Sequence, residues 1–86
     1  MISPQPPSPL DSGEAIKFCR DKADLTQDAV GNKSGLGASV ISNLERGKSN
    51  PTLTTLTRLA AGIGVDCSKI MAVAEICALN RDEIKH

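Results

Sequence analysis

A run of small hydroxyl and amide side chains between residues 38 and 43 is the part of the sequence best suited to recognising another molecule. Ile41 and Leu44 lie three residues apart, which predicts a helix with one buried face. Four other side chains are then turned outward: Ala38, Ser39, Ser42 and Asn43. They carry no charge, whereas a solvated helix face usually carries Lys and Glu. Such a face suits close approach and hydrogen bonding to a second surface.

Catalysis and metal binding are not indicated by the other reactive residues. The single histidine, His86, is the last residue, so no general base is evident and no nucleophile has a recognisable partner. Cys19, Cys67 and Cys77 are odd in number and form no Cys-x-x-Cys pair, which argues against a disulfide framework and a zinc site. We therefore predict a protein that is not an enzyme, binds no cofactor or metal, and resides in a reducing cytoplasm.

The elements that would position this face are two short helices joined by a turn. Thr26 precedes Gln27 and Asp28, which suits a helix cap followed by a first turn that favours negative charge. Gly35 can end that helix because glycine adopts the left-handed conformation without a steric penalty. The second helix is predicted to start just after Gly37. This arrangement is typical of a helix-turn-helix.

The segment from Leu25 to Pro51 resembles the lambda-repressor-like (Cro-like) DNA-binding family, which includes XRE-type regulators. The residues that keep the family's spacing are Leu25, Thr26, Gln27, Val30, Gly35, Leu36, Ile41, Ser42, Leu44, Glu45 and Gly47. The match has no gaps, and it extends more loosely from about Gly13 to Val65. Two residues depart from the pattern, because Gly31 replaces the usual Ala and Gly37 replaces the usual Ser or Thr cap of the recognition helix. Both weaken local helix stability.

The resemblance implies a contact surface for double-stranded DNA. The residues at base-facing positions are Ala38, Ser39, Ser42 and Asn43, where Asn can pair with adenine and Ala can touch a thymine methyl. The residues at phosphate-binding positions are Thr26, Gln27, Arg46, Lys48 and Asn50. The family also pairs an arginine matching Arg20 on the first helix with a glutamate matching Glu45, although a solvated Arg20 is the alternative.

The overall charge is the main compositional objection to DNA binding. The formal net charge is zero, so bulk positive charge cannot supply the affinity. Between Lys33 and Arg58, however, four basic residues stand against the single acid Glu45. These basic residues are Lys33, Arg46, Lys48 and Arg58. The distribution therefore predicts a local positive patch.

The rest of the chain predicts an all-α fold, which the resemblance makes a five-helix lambda-repressor-like domain over residues 12–79. Asp11 or Ser12 can cap the first helix and Thr52 the fourth. A Pro-rich N-terminal arm over residues 1–11 is expected to be disordered, and a charged tail over residues 80–86 is expected to fray. No apolar run approaches the ~20 residues of a membrane span.

The fifth helix, beginning near Cys67 or Ser68, carries two apolar stripes. The inner stripe consists of Ile70, Val73, Ala74 and Cys77. The second consists of Met71, Ala72, Ile76 and Leu79. A helix that is apolar on two sides needs two partners, so we predict that the second stripe pairs with another copy of the chain. The alternative is that both stripes pack within one monomer.

The function implied is that of a homodimeric, sequence-specific transcriptional regulator, a repressor that binds a palindromic operator. Within this class a phage Cro-like repressor, a restriction-modification controller and an antitoxin remain open. The alternative from another class is a protein-protein interaction module, antitoxin-like or recruiting, on the same helical scaffold.

Overall fold

The computed structural model describes residues 8–84, with the side chains of residues 8–80. It contains five α-helices in the order α1 (Pro9–Lys22), α2 (Gln27–Ser34), α3 (Ala38–Glu45), α4 (Leu53–Ile63) and α5 (Cys67–Ile84). The described residues form no strand. The prediction of an all-α, five-helix fold is therefore confirmed.

The start of α1 corrects the predicted boundary at residues 11 and 12. Ser8 is the cap: its backbone N–H donates to Asp11 Oδ2 at 2.9 Å, and its Oγ accepts from the Asp11 N–H at 3.3 Å. Pro9 fits the first helical position because a backbone N–H at that position has no acceptor within the helix, so a proline loses no hydrogen bond there. Residues 9–11 thus belong to the helix and not to an arm, and residues 1–7 lie outside the described part of the chain.

The end of α5 also differs from the prediction. The helix continues to Ile84, whereas a tail was expected from residue 80. The last two residues, 85 and 86, lie outside the described part. None of the helices, over the residues described, is long and apolar enough to cross a membrane.

One hydrophobic core joins all five helices. Each helix contributes one large side chain that is fully buried, and these are Ile16, Val30, Ile41, Leu59 and Ile70. Burying a side chain of this size contributes roughly 1.5–3 kcal/mol to stability. α1 packs mainly on α5 and α3, while α2 packs on α4 and α3. The short helix α3 is therefore held by both α1 and α2.

The two glycines that depart from the family pattern lie against each other. A Cβ atom at Gly31 would come within 2.6 Å of the Gly37 carbonyl carbon and the Ala38 nitrogen. Gly37 itself has φ +90° and ψ 150°, a conformation that L side chains rarely adopt, and supplies no side-chain cap to α3. The departures are thus linked, since Gly31 allows the backbone of α2 to approach the turn that Gly37 makes.

A close approach between α1 and the end of α3 gives a test of this packing. A Cβ atom at Gly13 would lie 2.5 Å from the carbonyl oxygen of Leu44 and 2.6 Å from that of Glu45. Backbone atoms cannot rotate away, so we expect Gly13→Ala to lower the free energy of unfolding by about 1–3 kcal/mol, despite the better helix propensity of Ala. Urea unfolding measures this change. Lys17→Ala, at an exposed position of the same helix, should stay within about 0.5 kcal/mol of wild type, and a Gly13→Ala protein as stable as wild type would contradict the packing.

Candidate nucleic-acid interface

α3 presents a neutral surface to solvent. Its exposed side chains are those of Ser39, Val40 and Asn43, while Ala38 and Ser42 are half-buried. The opposite side of the helix is buried in the core. No charged residue occurs between positions 38 and 44. The helix can therefore approach another molecule closely without desolvating a charge.

Val40 is an addition to the four residues that sequence reasoning assigned to this face. It directly precedes the buried Ile41, yet 40% of its surface is exposed. The sequence does indicate its place on the outward face, because Val40 lies three residues before Asn43 and so shares a helix face with it. The exposed face of α3 thus contains one aliphatic group among polar ones.

A network centred on Glu45 ties α3 to the two helices before it. Arg20 on α1 donates from Nε to Glu45 Oε2 at 2.6 Å and from Nη2 to Oε1 at 2.9 Å. Its Nη1 donates to the Leu25 carbonyl at 2.8 Å. The hydrogen bonds that Arg20 donates to Glu45 raise the pKa of Arg20 above its already high usual value. This two-point contact fixes the end of α3 relative to α1.

The start of α2 joins the same network. Gln27 Nε2 donates to Glu45 Oε1 at 3.1 Å, so the side chain that was assigned to a phosphate is oriented by the carboxylate. One N–H of that amide group remains for an outside acceptor. Thr26 Oγ1 accepts from the Ala29 N–H at 3.0 Å and caps α2, as its position predicts, while its own hydroxyl hydrogen can still be donated. Both residues retain a donor near the positive end of α2.

The loop after α3 brings cationic groups next to the neutral face. Arg46, Lys48 and Asn50 are all exposed. Arg46 Nη2 donates to Asn43 Oδ1 at 3.4 Å, and the Lys48 backbone N–H donates to the Asn43 carbonyl at 3.1 Å. The loop therefore turns back along the end of α3. The other two basic residues of the predicted patch, Lys33 on α2 and Arg58 on α4, are also exposed.

The second apolar stripe of α5 lies on the surface of the monomer. The exposed fractions are 49% for Met71, 56% for Ile76 and 54% for Leu79, and Ala72 is exposed as well. In the inner stripe, Ile70 and Ala74 are buried in the core and Val73 packs against it, while Cys77 is half-buried. Residues 8–80 thus leave an aliphatic strip of α5 in contact with solvent.

The reactive groups of the described residues do not form a second site. No three His, Cys, Asp or Glu side chains among them come close enough together to hold a metal ion. Cys19 is buried in the core, and desolvation by burial raises the pKa of its thiol. This thiol is therefore kept neutral and unreactive at neutral pH.

The comparison with known proteins identifies the family. The family model HTH_3, described as helix-turn-helix, matches residues 16–70, which is more than half of the chain. This chain therefore belongs to the HTH_3 helix-turn-helix family of DNA-binding transcription regulators.

Individual relatives agree with this assignment. The chain is 36% identical over 59 residues to the immunity repressor protein of Bacillus phage phi105, a match that spans 69% of this chain and 41% of the repressor. It is 46% identical over 53 residues to the uncharacterized HTH-type transcriptional regulator y4dJ of Sinorhizobium fredii, covering 62% of this chain and 69% of that protein. The crystal structure of the clp gene regulator ClgR from Corynebacterium glutamicum superposes with a TM-score of 0.85 at 17% identity, over 90% of this chain and 82% of that one. This last likeness shows the fold.

Proposed function

We propose that the chain is a sequence-specific transcriptional regulator, a repressor that binds a palindromic operator as a homodimer. The observation that carries the proposal is the neutral exposed face of α3, flanked directly by the exposed cations Arg46 and Lys48. A major groove accepts an α-helix, and its base edges are read by neutral donors and acceptors. Cations beside the helix hold the phosphates and set the register.

The residues divide into two groups by their chemistry. Base contacts are assigned to residues of α3, namely Ala38, Ser39, Ser42 and Asn43. Phosphate contacts are assigned to residues at the start of α2 and in the loop after α3, namely Thr26, Gln27, Arg46, Lys48 and Asn50. The hydrogen bond from Gln27 to Glu45 supports this division, since it couples a phosphate-binding side chain to the end of the base-reading helix.

The exposed strip of α5 supports the homodimer. About half of each large side chain in this strip is in contact with water, namely of Met71, Ile76 and Leu79. A second copy of the same strip would remove this apolar surface from water. A two-fold pairing presents the same surface from both chains. It also places two recognition helices about one helical turn of DNA apart, ~34 Å, which requires a palindromic operator. The contact residues proposed for this pairing are Met71, Ala72, Ile76 and Leu79.

The sign of regulation comes from the relatives. The immunity repressor of phage phi105 is 36% identical to this chain over 59 residues, so repression is the mode we propose. Regulation would come from the protein's concentration, its dimerisation or a separate partner.

Selection of bound sites from random DNA tests the proposal. We expect an enriched sequence with two inverted half-sites whose centres lie about 10 base pairs apart. Migration of that fragment should be retarded by the purified protein and restored by salt. Failure to enrich any sequence would contradict sequence-specific binding, and a single half-site would contradict the palindrome.

The two groups of contact residues should respond differently to mutation. Asn43→Ala should cost about 1–3 kcal/mol on the selected site and relax the preference at one base pair, because it removes a base contact. Lys48→Ala should weaken all sequences alike and reduce the slope of log affinity against log salt by about one per protomer, because it removes a phosphate contact. Binding titrations on the selected site and on a scrambled site measure both. A uniform loss from Asn43→Ala would contradict its assignment.

The same exposed strip of α5 also supports the second candidate, a protein-protein interaction module. An aliphatic strip of this kind can dock another protein in place of a second copy. The site selection separates the candidates, because an interaction module would enrich no DNA sequence.

A further inference from the structure

We propose that Val40 is a specificity-determining residue that reads the 5-methyl group of a thymine. The inference rests on the proposed function, because it requires α3 to lie in the major groove. It goes beyond the base contacts already assigned, which are made by the polar and small residues of that helix.

The exposure of Val40 is the first observation. At 40% exposed it is a large hydrophobic side chain on the solvent side of α3, where its exposed neighbours are Ser39 and Asn43. Packing buries only part of this side chain and does not by itself account for the exposed 40%, and helix propensity does not either, since Val is a poorer helix former than Ala. An apolar group that gains from leaving water on binding does account for it.

The orientation of α3 is the second observation. Glu45 is held by two hydrogen bonds from Arg20 and one from Gln27, so the helix cannot rotate freely about its axis. Val40 is therefore kept on the outer side with Asn43, three residues away on the same face. A β-branched side chain also has few rotamers, so its two methyl groups have nearly fixed positions.

The chemistry of the major groove indicates which group Val40 would contact. Among the groups at base edges in this groove, the C5-methyl of thymine is apolar, and the others are hydrogen-bond donors or acceptors. Asn43 is suited to pair with adenine. Asn43, on the same helix face as Val40, thus favours an A·T base pair. Such a pair supplies a thymine methyl within the footprint of α3.

Uracil substitution in the selected operator tests the inference, because uracil differs from thymine only by that methyl group. Each thymine of one half-site is replaced in turn, and the affinity is measured by titration. We expect one position at which wild-type protein loses about fourfold in affinity, the equivalent of one buried methyl group. In Val40→Ala the thymine-to-uracil ratio at that position should fall to nearly one.

Ser39→Ala is the matched control: it removes a proposed base contact, so the overall affinity should fall, but the fourfold ratio at that thymine should remain. Circular dichroism checks that both variants keep their helix content. Equal thymine-to-uracil ratios in wild type and Val40→Ala would overturn the inference and leave DNA binding intact. If wild-type protein selects no DNA sequence, the proposed function fails and the inference fails with it.

Discussion

Arg20→Ala should lower the free energy of unfolding by about 3 kcal/mol, because it removes one partner of a nearly buried ion pair. The side chain of Glu45 is only 5% exposed and that of Arg20 is 12% exposed. Without the guanidinium, the Glu45 carboxylate keeps the hydrogen bond from the Gln27 amide but loses the two hydrogen bonds from Arg20. The small exposure of Arg20 places the expected loss at the lower end of the range for buried pairs. Urea unfolding at neutral pH measures it.

Two further experiments distinguish the loss of the ion pair from the loss of an arginine in general. Arg58→Ala removes an exposed arginine from α4 and should change stability by less than about 1 kcal/mol. A double-mutant cycle with Glu45→Ala should show a coupling energy of more than 1 kcal/mol between positions 20 and 45. A cycle without coupling would mean that the pair contributes nothing to holding α3.

The combined change of Ile76 and Leu79 to Asp should convert a dimer into a folded monomer. Four like charges would meet at a two-fold pairing of α5, while the buried side of the helix is untouched. Joining two DNA-binding units typically raises affinity by a factor of 10² to 10⁴, so we expect the monomer to bind the palindromic site at least about 100-fold more weakly. Sedimentation equilibrium, circular dichroism and a DNA titration measure the three effects.

Ala61→Asp supplies the control for the added charge. Ala61 is exposed on α4 and is not part of the α5 strip, so this variant should remain dimeric. Wild-type protein that stays monomeric at high micromolar concentration without DNA would exclude the α5 pairing. In that case the aliphatic strip would be left for another partner, as the interaction-module alternative requires.

The centre of the fold could be predicted from the sequence because its signals are local. Thr26 caps α2, Gly35 follows its last residue, and α3 begins at Ala38, all as predicted. At α4, Thr52 is the cap and Gly64 ends the helix. Caps and glycines act within one turn of backbone, so a single sequence carries their information.

Other features depend on neighbours in space and could not be obtained this way. Prolines near the N-terminus predicted an arm, but Pro9 is helical because Ser8 and Asp11 cap each other. Gly31 was expected only to weaken α2, yet its lack of a side chain allows the backbone of α3 to approach. Sequence spacing places Val40 on the same helix face as Asn43, but the exposed fraction of its side chain depends on how α3 packs against α1 and α2.

The lack of charge along α3 affects how such a protein would be distributed in a cell. Binding to random DNA comes almost entirely from cations that displace counterions from phosphates. In the proposed complex three of the five phosphate contacts, those of Thr26, Gln27 and Asn50, come from neutral side chains, so fewer counterions are displaced and the affinity for random DNA would be lower than with five cations. A larger fraction of the molecules would then stay free instead of being held on random DNA. The occupancy of an operator would follow the abundance of the protein directly, so synthesis and degradation would set the response.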